Sequence, residues 1–138
     1  MRTQLKLVFQ IGTADAHPAF EAALIAHASM LCGGCTTSHD TGWWKEDGDQ
    51  RQQYFTGTLH KEHCFTLELT TELSKVEAVY ESMADAIALK AGRYGVDTDW
   101  VHVSRTMMQG MHFSAKERLQ GIYEQAERLR DGVEALLA

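Results

Sequence analysis

Long apolar runs are missing from this sequence of 138 residues, and cysteine is scarce. No stretch of about 18 apolar residues occurs, so we expect no membrane-spanning helix. The first residues pass directly into an alternating polar and apolar pattern, unlike the uninterrupted apolar core of a signal peptide. Three cysteines, an odd number, favour reduced thiols over a disulfide framework. These absences predict a cytoplasmic protein without a membrane partner.

Basic residues are also few, because 13 lysines and arginines stand against 19 aspartates and glutamates, for a net charge of -6 at pH 7. That charge would repel a phosphate backbone, and no basic cluster interrupts it, so nucleic acid is not an expected partner. An acidic protein suits a cationic small ligand, although acidity also serves solubility. The apolar content of 44% is sufficient for a buried core, and the length predicts a single domain over residues 1–138.

Three stretches have the period of two that predicts a strand with one buried face. Residues 5–11 place large apolar side chains at every second position, and within residues 59–69 Leu59, Phe65, Leu67 and Leu69 point to one face. Residues 100–104 form the third stretch. The polar segment 35–53 predicts a short strand and a turn, which would form a hairpin with the strand that follows.

Three helices are predicted between and after these strands. The first has Pro18 in its first turn and ends at Gly33. The second would begin with a capping box formed by Ser74 and Glu77 and end at Gly95. A third, amphipathic helix closes the chain. This order predicts an α+β fold, a ferredoxin-like antiparallel sheet with helices on one face and an added C-terminal helix.

Two groups of cysteine and histidine residues have spacings that suggest a redox or metal site. Cys32 and Cys35 have the spacing of a redox pair, but they fall at the end of a predicted helix, whereas a reactive thiol is usually found at a helix N-terminus. His60 and Cys64 would share one face of a strand while His63 points to the other, which leaves too few ligands for a tetrahedral zinc site. We therefore predict no metal and no cofactor.

Three short sequence features together resemble those of a known protein family. The segment from Ser104 to Ser114 has the pattern Ser-x-Thr-x-x-x-Gly-apolar-x-aromatic-small and follows a predicted strand. A Thr-Gly pair at Thr41 is followed at once by two tryptophans, and Glu62 precedes an apolar strand segment. In these features the chain resembles the phage-encoded S-adenosylmethionine lyases, formerly called hydrolases. The family has a tyrosine where this chain has Trp44, or else Tyr54 takes that place from another position.

The resemblance implies cleavage of S-adenosylmethionine to methylthioadenosine and homoserine lactone by attack of the substrate's own carboxylate. Glu62 is the candidate catalytic residue, because its carboxylate would pair with the substrate ammonium. Aromatic side chains could stack on adenine or face the sulfonium, hydroxyls could donate hydrogen bonds, and a glycine would admit close backbone approach. The candidate substrate-binding residues are Trp43, Trp44, Tyr54, Ser104, Thr106, Gly110 and Phe113. Each also has an ordinary interpretation as an exposed strand residue, a core or interface aromatic, or a turn residue.

The open face of the predicted sheet is expected to pack against copies of the chain, and the resemblance implies sites between subunits, for which we expect a homotrimer. The first functional hypothesis is therefore a lyase that acts on S-adenosylmethionine or a derivative, in a phage anti-restriction or anti-defence role. The alternative is a non-catalytic ferredoxin-like protein that sequesters a nucleotide or a protein partner on the same sheet.

Overall fold

The structure is a computed structural model that describes residues 2–46, 51 and 54–138, so the predicted turn within residues 35–53 lies partly outside the described residues. The chain forms two compact units, Arg2–Gln109 and Gly110–Ala138. The assignment of one domain to residues 1–138 stays a prediction. None of the helices in the described residues has the length and apolarity needed to cross a membrane.

The first unit contains a four-stranded antiparallel sheet with two helices, which confirms the predicted ferredoxin-like α+β fold. The strand order is β2-β3-β1-β4. In chain order the elements are β1 (Arg2–Thr13), α1 (Pro18–Cys32), β2 (Thr36–Lys45), β3 (Leu59–Glu72), α2 (Val76–Tyr94) and β4 (Val101–Gly110). The second unit begins at Gly110 and contains the added C-terminal helix α3 (Ala115–Leu137).

The core lies between the two helices and one face of the sheet. Leu7, Phe9 and Ile11 of β1 are fully buried, and Leu67 of β3 is buried beside them. The helices contribute further buried apolar residues, among them Phe20, Leu24, Ala28, Val79, Met83 and Ile87. Because side chains alternate along a strand, the even-numbered residues of β1 and β3 lie on the opposite face. That face, here called the open face, carries the Lys6–Glu68 ion pair at 3.3 Å.

The two helices that cover the sheet, α1 and α2, end at the glycines that the sequence predicted. Gly33 follows α1 with φ 78° and Gly95 follows α2 with φ 65°, both in the left-handed region that favours glycine. The predicted capping box at Ser74 is wrong. Residues Leu73–Lys75 form a 3₁₀ turn, α2 begins at Val76, and Lys75 precedes it without a side-chain cap. Ser74 therefore lies inside a helical turn and not at the extended position that a cap requires.

All four strands are longer than the sequence predicted, and for β2 and β4 the difference changes the description of the chain. β2 extends over ten residues and pairs with β3 from Thr36 opposite Glu68 to Lys45 opposite Leu59. β4 continues through the segment that was expected to turn after Ser104, and it ends only at Gly110. Ser104 and Thr106 are consequently strand residues and not turn residues.

Candidate functional site

Glu62 lies on the open face of β3, where glycines on both neighbouring strands make room for its side chain. Gly42 of β2 is directly opposite Glu62. On the other side, a methyl group at Gly12 of β1 would lie 2.6 Å from both Cδ and Oε2 of Glu62 and would also overlap Oε1. A methyl group at Gly42 would lie 3.3 Å from Cγ of Glu62. The carboxylate therefore rests on the backbone of β1, in a position that only glycine at residue 12 permits.

A cavity of about 540 Å³ surrounds this carboxylate, within the range typical of small-molecule sites. Its wall includes the ends of β1 and β2, the start of β3 and the loop that follows Val96. The lining residues are Gly12, Thr13, Ala14, Trp44, His60, Lys61, Glu62, Asp97, Thr98, Asp99 and Trp100. The Thr98 hydroxyl donates a hydrogen bond of 2.8 Å to the carbonyl oxygen of Gly12, which ties the loop to β1.

Negative charge exceeds positive charge in this lining. Glu62, Asp97 and Asp99 supply three carboxylates, against one lysine and one histidine. The lysine, Lys61, has its Nζ 5.6 Å from the centre of the Trp43 ring, a cation–π arrangement that engages its charge. The cavity is therefore electrostatically suited to a cationic ligand.

Aromatic rings stand at the sides of the cavity. Trp44 stacks on His60 with ring centroids 4.5 Å apart and an angle of 22° between the planes. His60 is itself held by a 2.5 Å hydrogen bond to Glu46. Trp44 remains 46% exposed and Trp100 90% exposed, so both rings have surface to offer a ligand. Rings beside carboxylates form a surface that can contact both a flat base and a positive charge.

The structure places two of the sequence-predicted site residues, Glu62 and Trp44, on one cavity. Trp43 follows the opposite alternation along β2 and pairs with Lys61. The hydroxyl residues Ser104 and Thr106 are exposed on β4 and do not line this cavity. Among the remaining candidates, Tyr54 is exposed in the β2–β3 connection. Gly110 and Phe113 belong to the second unit, where the Phe113 ring lies 5.7 Å from the guanidinium of Arg118. The substrate roles of all these residues stay predictions.

Several lining residues were missed from the sequence. Gly12 comes directly after the predicted strand 5–11, where a glycine indicates a connection. In the structure it lies inside β1, where a strand glycine admits close approach of another group to the backbone. The sequence gives no sign that the loop residues Asp97, Asp99 and Trp100 belong to the site, because the composition of a loop does not reveal which strand end it will cover. The sequence suggests for His60 only the role of a zinc ligand, whereas in the structure its ring stacks on Trp44.

The cysteine pair at the end of α1 has no sign of thiolate activation. Burial raises the pKa of the Cys32 thiol, and the neighbouring Cys35 raises it further. A raised pKa disfavours the thiolate that redox exchange requires. Both cysteines are free thiols in the structure.

No protein-family model matches the chain, and no curated protein matches it. Among solved structures, the chain is similar to a phage SAM lyase in the apo state, with 9% identity, a TM-score of 0.47, and coverage of 80% of this chain and 92% of the other. CutA from Synechococcus elongatus gives 12% identity, a TM-score of 0.45, and coverage of 83% and 84%. A hydantoinase/carbamoylase-family amidase from Burkholderia multivorans gives 11% identity and a TM-score of 0.45, and although 93% of this chain is covered, it spans only 33% of that amidase. At such identities these likenesses concern the fold alone.

Proposed function

We propose that the chain is a carbon–sulfur lyase that cleaves S-adenosylmethionine, or a derivative of it, to methylthioadenosine and homoserine lactone. The observation that carries the proposal is the Glu62 carboxylate, which rests on Gly12 inside an acidic cavity with tryptophan walls. The motif resemblance to the phage lyases supports the same substrate. A phage anti-restriction or anti-defence role in the host cytoplasm would follow from removal of the methyl donor.

The charge pattern of the substrate fits the cavity. S-adenosylmethionine carries an ammonium and a sulfonium, each of which is attracted by the carboxylates of Glu62, Asp97 and Asp99. Adenine would stack on the free face of Trp44 or on Trp100, and a tryptophan face beside the sulfonium would add about 0.5–2 kcal/mol of cation–π attraction.

The reaction needs no nucleophile from the protein. The methionine carboxylate attacks its own γ-carbon, a carbon–oxygen bond forms, and the carbon–sulfur bond breaks, with both electrons of that bond leaving on sulfur. The sulfonium becomes the neutral thioether of methylthioadenosine, and the lactone keeps the ammonium. Holding the chain in the ring-closing geometry can contribute about 7–11 kcal/mol, so the protein's main tasks are orientation and exclusion of water. Glu62 would hold the ammonium end and leave the substrate carboxylate free to attack.

The homotrimer is part of the proposal. Ser104 and Thr106 of β4 do not line the Glu62 cavity of their own chain. We propose that they, together with Gly110 and Phe113, reach the cavity of a neighbouring copy. The second unit supports self-association, because α3 has an apolar stripe and none of its residues is buried. Light scattering tests this arrangement, since a monomer at assay concentration could not form a shared site.

The function is tested by incubating purified protein with S-adenosylmethionine and following methylthioadenosine by chromatography. Glu62→Gln should remove turnover and preserve the fold. Glu68→Gln is the matched control, since Glu68 lies on the same strand and the same open face but pairs with Lys6. Absence of product at high protein concentration would refute the lyase. Tight binding of the substrate without product would instead favour the alternative, a non-catalytic protein that sequesters a nucleotide.

A further inference from the structure

The face of the sheet that α1 and α2 cover carries a cluster of one glutamate and two histidines from three different elements. Glu21 lies in the first turn of α1, His39 lies on β2, and His63 lies on β3. In the β2–β3 register His39 is opposite Phe65, and His63 is opposite Thr41, so the two histidines are diagonal neighbours on one face. Their ring centroids are 5.1 Å apart, and the planes differ by 32°.

We propose that Glu21, His39 and His63 form a binding site for a divalent transition-metal ion, with zinc as the reference ion. One ligand atom from each of the three residues lies within 4.8 Å of the other two. Both histidines direct Nε2 towards the carboxylate: His39 Nε2 is hydrogen-bonded to Oε1 of Glu21, and His63 Nε2 lies 4.0 Å from Oε2.

The separations are close to those that a bound ion would impose. Zinc–ligand bonds of about 2.0–2.2 Å in tetrahedral geometry place ligand atoms about 3.3 Å apart. His63 Nε2 and Oε2 of Glu21, now 4.0 Å apart, would close by roughly 0.7 Å, and the hydrogen-bonded His39 Nε2 and Oε1 would move slightly apart. Both movements are within the reach of rotation about the χ angles. The ion would replace the hydrogen bond between His39 and Glu21, and it would bring His63 into contact.

The hydrogen bond between His39 and Glu21 does not account for the third member of the cluster, His63. Its Nε2 is buried, and it is the one buried side-chain nitrogen or oxygen among the described residues without a hydrogen-bond partner. Such an atom loses its hydration without replacement, so an unsatisfied buried group in a folded protein calls for an explanation, and a bound ion is one of them. A metal ion placed between the three side chains would use the lone pair of this nitrogen.

The backbone holds the Glu21 carboxylate in place beside the two histidines. The N–H of His17 donates a 3.1 Å hydrogen bond to Oε2, and supporting donors of this kind fix the orientation of metal-binding side chains. The carboxylate thus keeps Oε1 towards His39 and Oε2 towards His63.

The ligand set and the exposure define the kind of ion. Two imidazoles and one carboxylate suit zinc, iron, copper or nickel, and three protein ligands leave a coordination position open. Glu21 has 10% and His63 22% of its side chain exposed, whereas His39 has 51% exposed. His39 thus forms the accessible side of the site, through which an ion would enter.

The test uses the full-length protein after treatment with a chelator that is then removed by dialysis. Zinc titration followed by calorimetry should give one ion per chain, and at free zinc about 100-fold above Kd the melting temperature should rise by about 10 °C. Cobalt should bind with the visible absorption of a nitrogen–oxygen site and without thiolate charge-transfer bands. Absence of zinc binding to the wild-type protein would overturn the proposal.

Variants decide which residues hold the ion. His63→Gln is the preferred variant, because His63 Nε2 has no partner to lose among the described residues and the metal-free fold should be unaffected. This variant should lower the affinity for zinc by more than the roughly 10–100-fold that is typical of losing a supporting residue, and His39→Gln should lower it similarly. His27→Gln is the matched control, because His27 lies on α1 and is bonded to Ser82 outside the cluster. Wild-type affinity in His63→Gln would refute the site.

Thiols are the competing zinc ligands in this chain. The double variant Cys32→Ser and Cys35→Ser removes the pair at the end of α1 and should keep one zinc ion per chain with unchanged affinity. Loss of binding in this variant would assign the ion to the cysteines and overturn the proposal. The site does not depend on the proposed lyase activity, since every readout is metal binding or stability.

Discussion

The Gly12→Ala substitution tests the position of the Glu62 carboxylate without touching Glu62 itself. The new methyl group would lie 2.6 Å from Cδ and Oε2 of Glu62, closer than real side chains tolerate. Glu62 ends a flexible side chain, so it can rotate away, and Gly12 does not have the positive φ that would strain an alanine. We therefore expect the free energy of unfolding to change by less than about 1 kcal/mol.

The functional cost of this rotation should be much larger. A displaced carboxylate loses its charge-assisted contact with the substrate ammonium, worth about 1.5–3 kcal/mol. The value of kcat/KM for methylthioadenosine formation should fall by about 10- to 150-fold, since 1.4 kcal/mol corresponds to a factor of ten. Urea denaturation measures the stability of the same variant. A normal kcat/KM in Gly12→Ala would refute the role assigned to the Glu62 position.

Two further glycines calibrate the result. A methyl group at Gly42 would lie 3.3 Å from Cγ of Glu62, so Gly42→Ala should reduce kcat/KM by less than Gly12→Ala does. A methyl group at Gly34 meets no atom within 4 Å, and Gly34→Ala should behave as the wild type. An equal loss in all three variants would point to a general effect of alanine and not to the carboxylate.

Three other predictions follow from named contacts. Trp44→Ala should weaken S-adenosylmethionine binding by about 2- to 30-fold in calorimetry, and Trp43→Ala by less, because only Trp44 lines the cavity. Leu7→Ala should cost about 2–5 kcal/mol in urea denaturation, since Leu7 is fully buried. Glu21→Gln should destabilise the metal-free protein at pH 7. Burial acts to raise the pKa of Glu21, but hydrogen bonds from His39 and from the backbone N–H of His17 bring it below its ordinary value. The difference in stability should therefore be fully present above the ordinary pKa of a glutamate and shrink as the pH falls through the lower folded pKa, as pH-dependent denaturation would measure.

The strands that form the core were predictable because burial determines their sequence pattern. In β1 and β3 one face is buried by the helices, and apolar residues occupy every second position, as at Leu7 and Leu67. β2 is different, since its residues are exposed or half-buried on both faces and no such pattern arises. Its length is set by hydrogen bonding to β3, which depends on a neighbour distant in the sequence.

Two residues of the candidate site were predictable from the sequence, whereas its other lining residues and its geometry were not. Motif resemblance selected Glu62 and Trp44, which line one cavity. The dependence of Glu62 on Gly12 required the strand order, because β1 and β3 are adjacent in the sheet although α1 and β2 separate them in the sequence. The cluster of Glu21, His39 and His63 was missed for the same reason. His63 was compared with its sequence neighbours His60 and Cys64, whereas the fold brings it to His39 and Glu21.

Glu62 and His63 are consecutive, yet they belong to two different proposed sites. Alternation along β3 sends Glu62 to the open face and His63 to the face covered by helices, so the strand backbone separates the two groups. The proposals can consequently be tested one at a time. Glu62→Gln removes the proposed ammonium contact but leaves Glu21, His39 and His63 untouched, and it should bind one zinc ion with wild-type affinity. A large loss of zinc affinity in Glu62→Gln would show that the two faces are coupled, and independent sites on one strand would then be the wrong description.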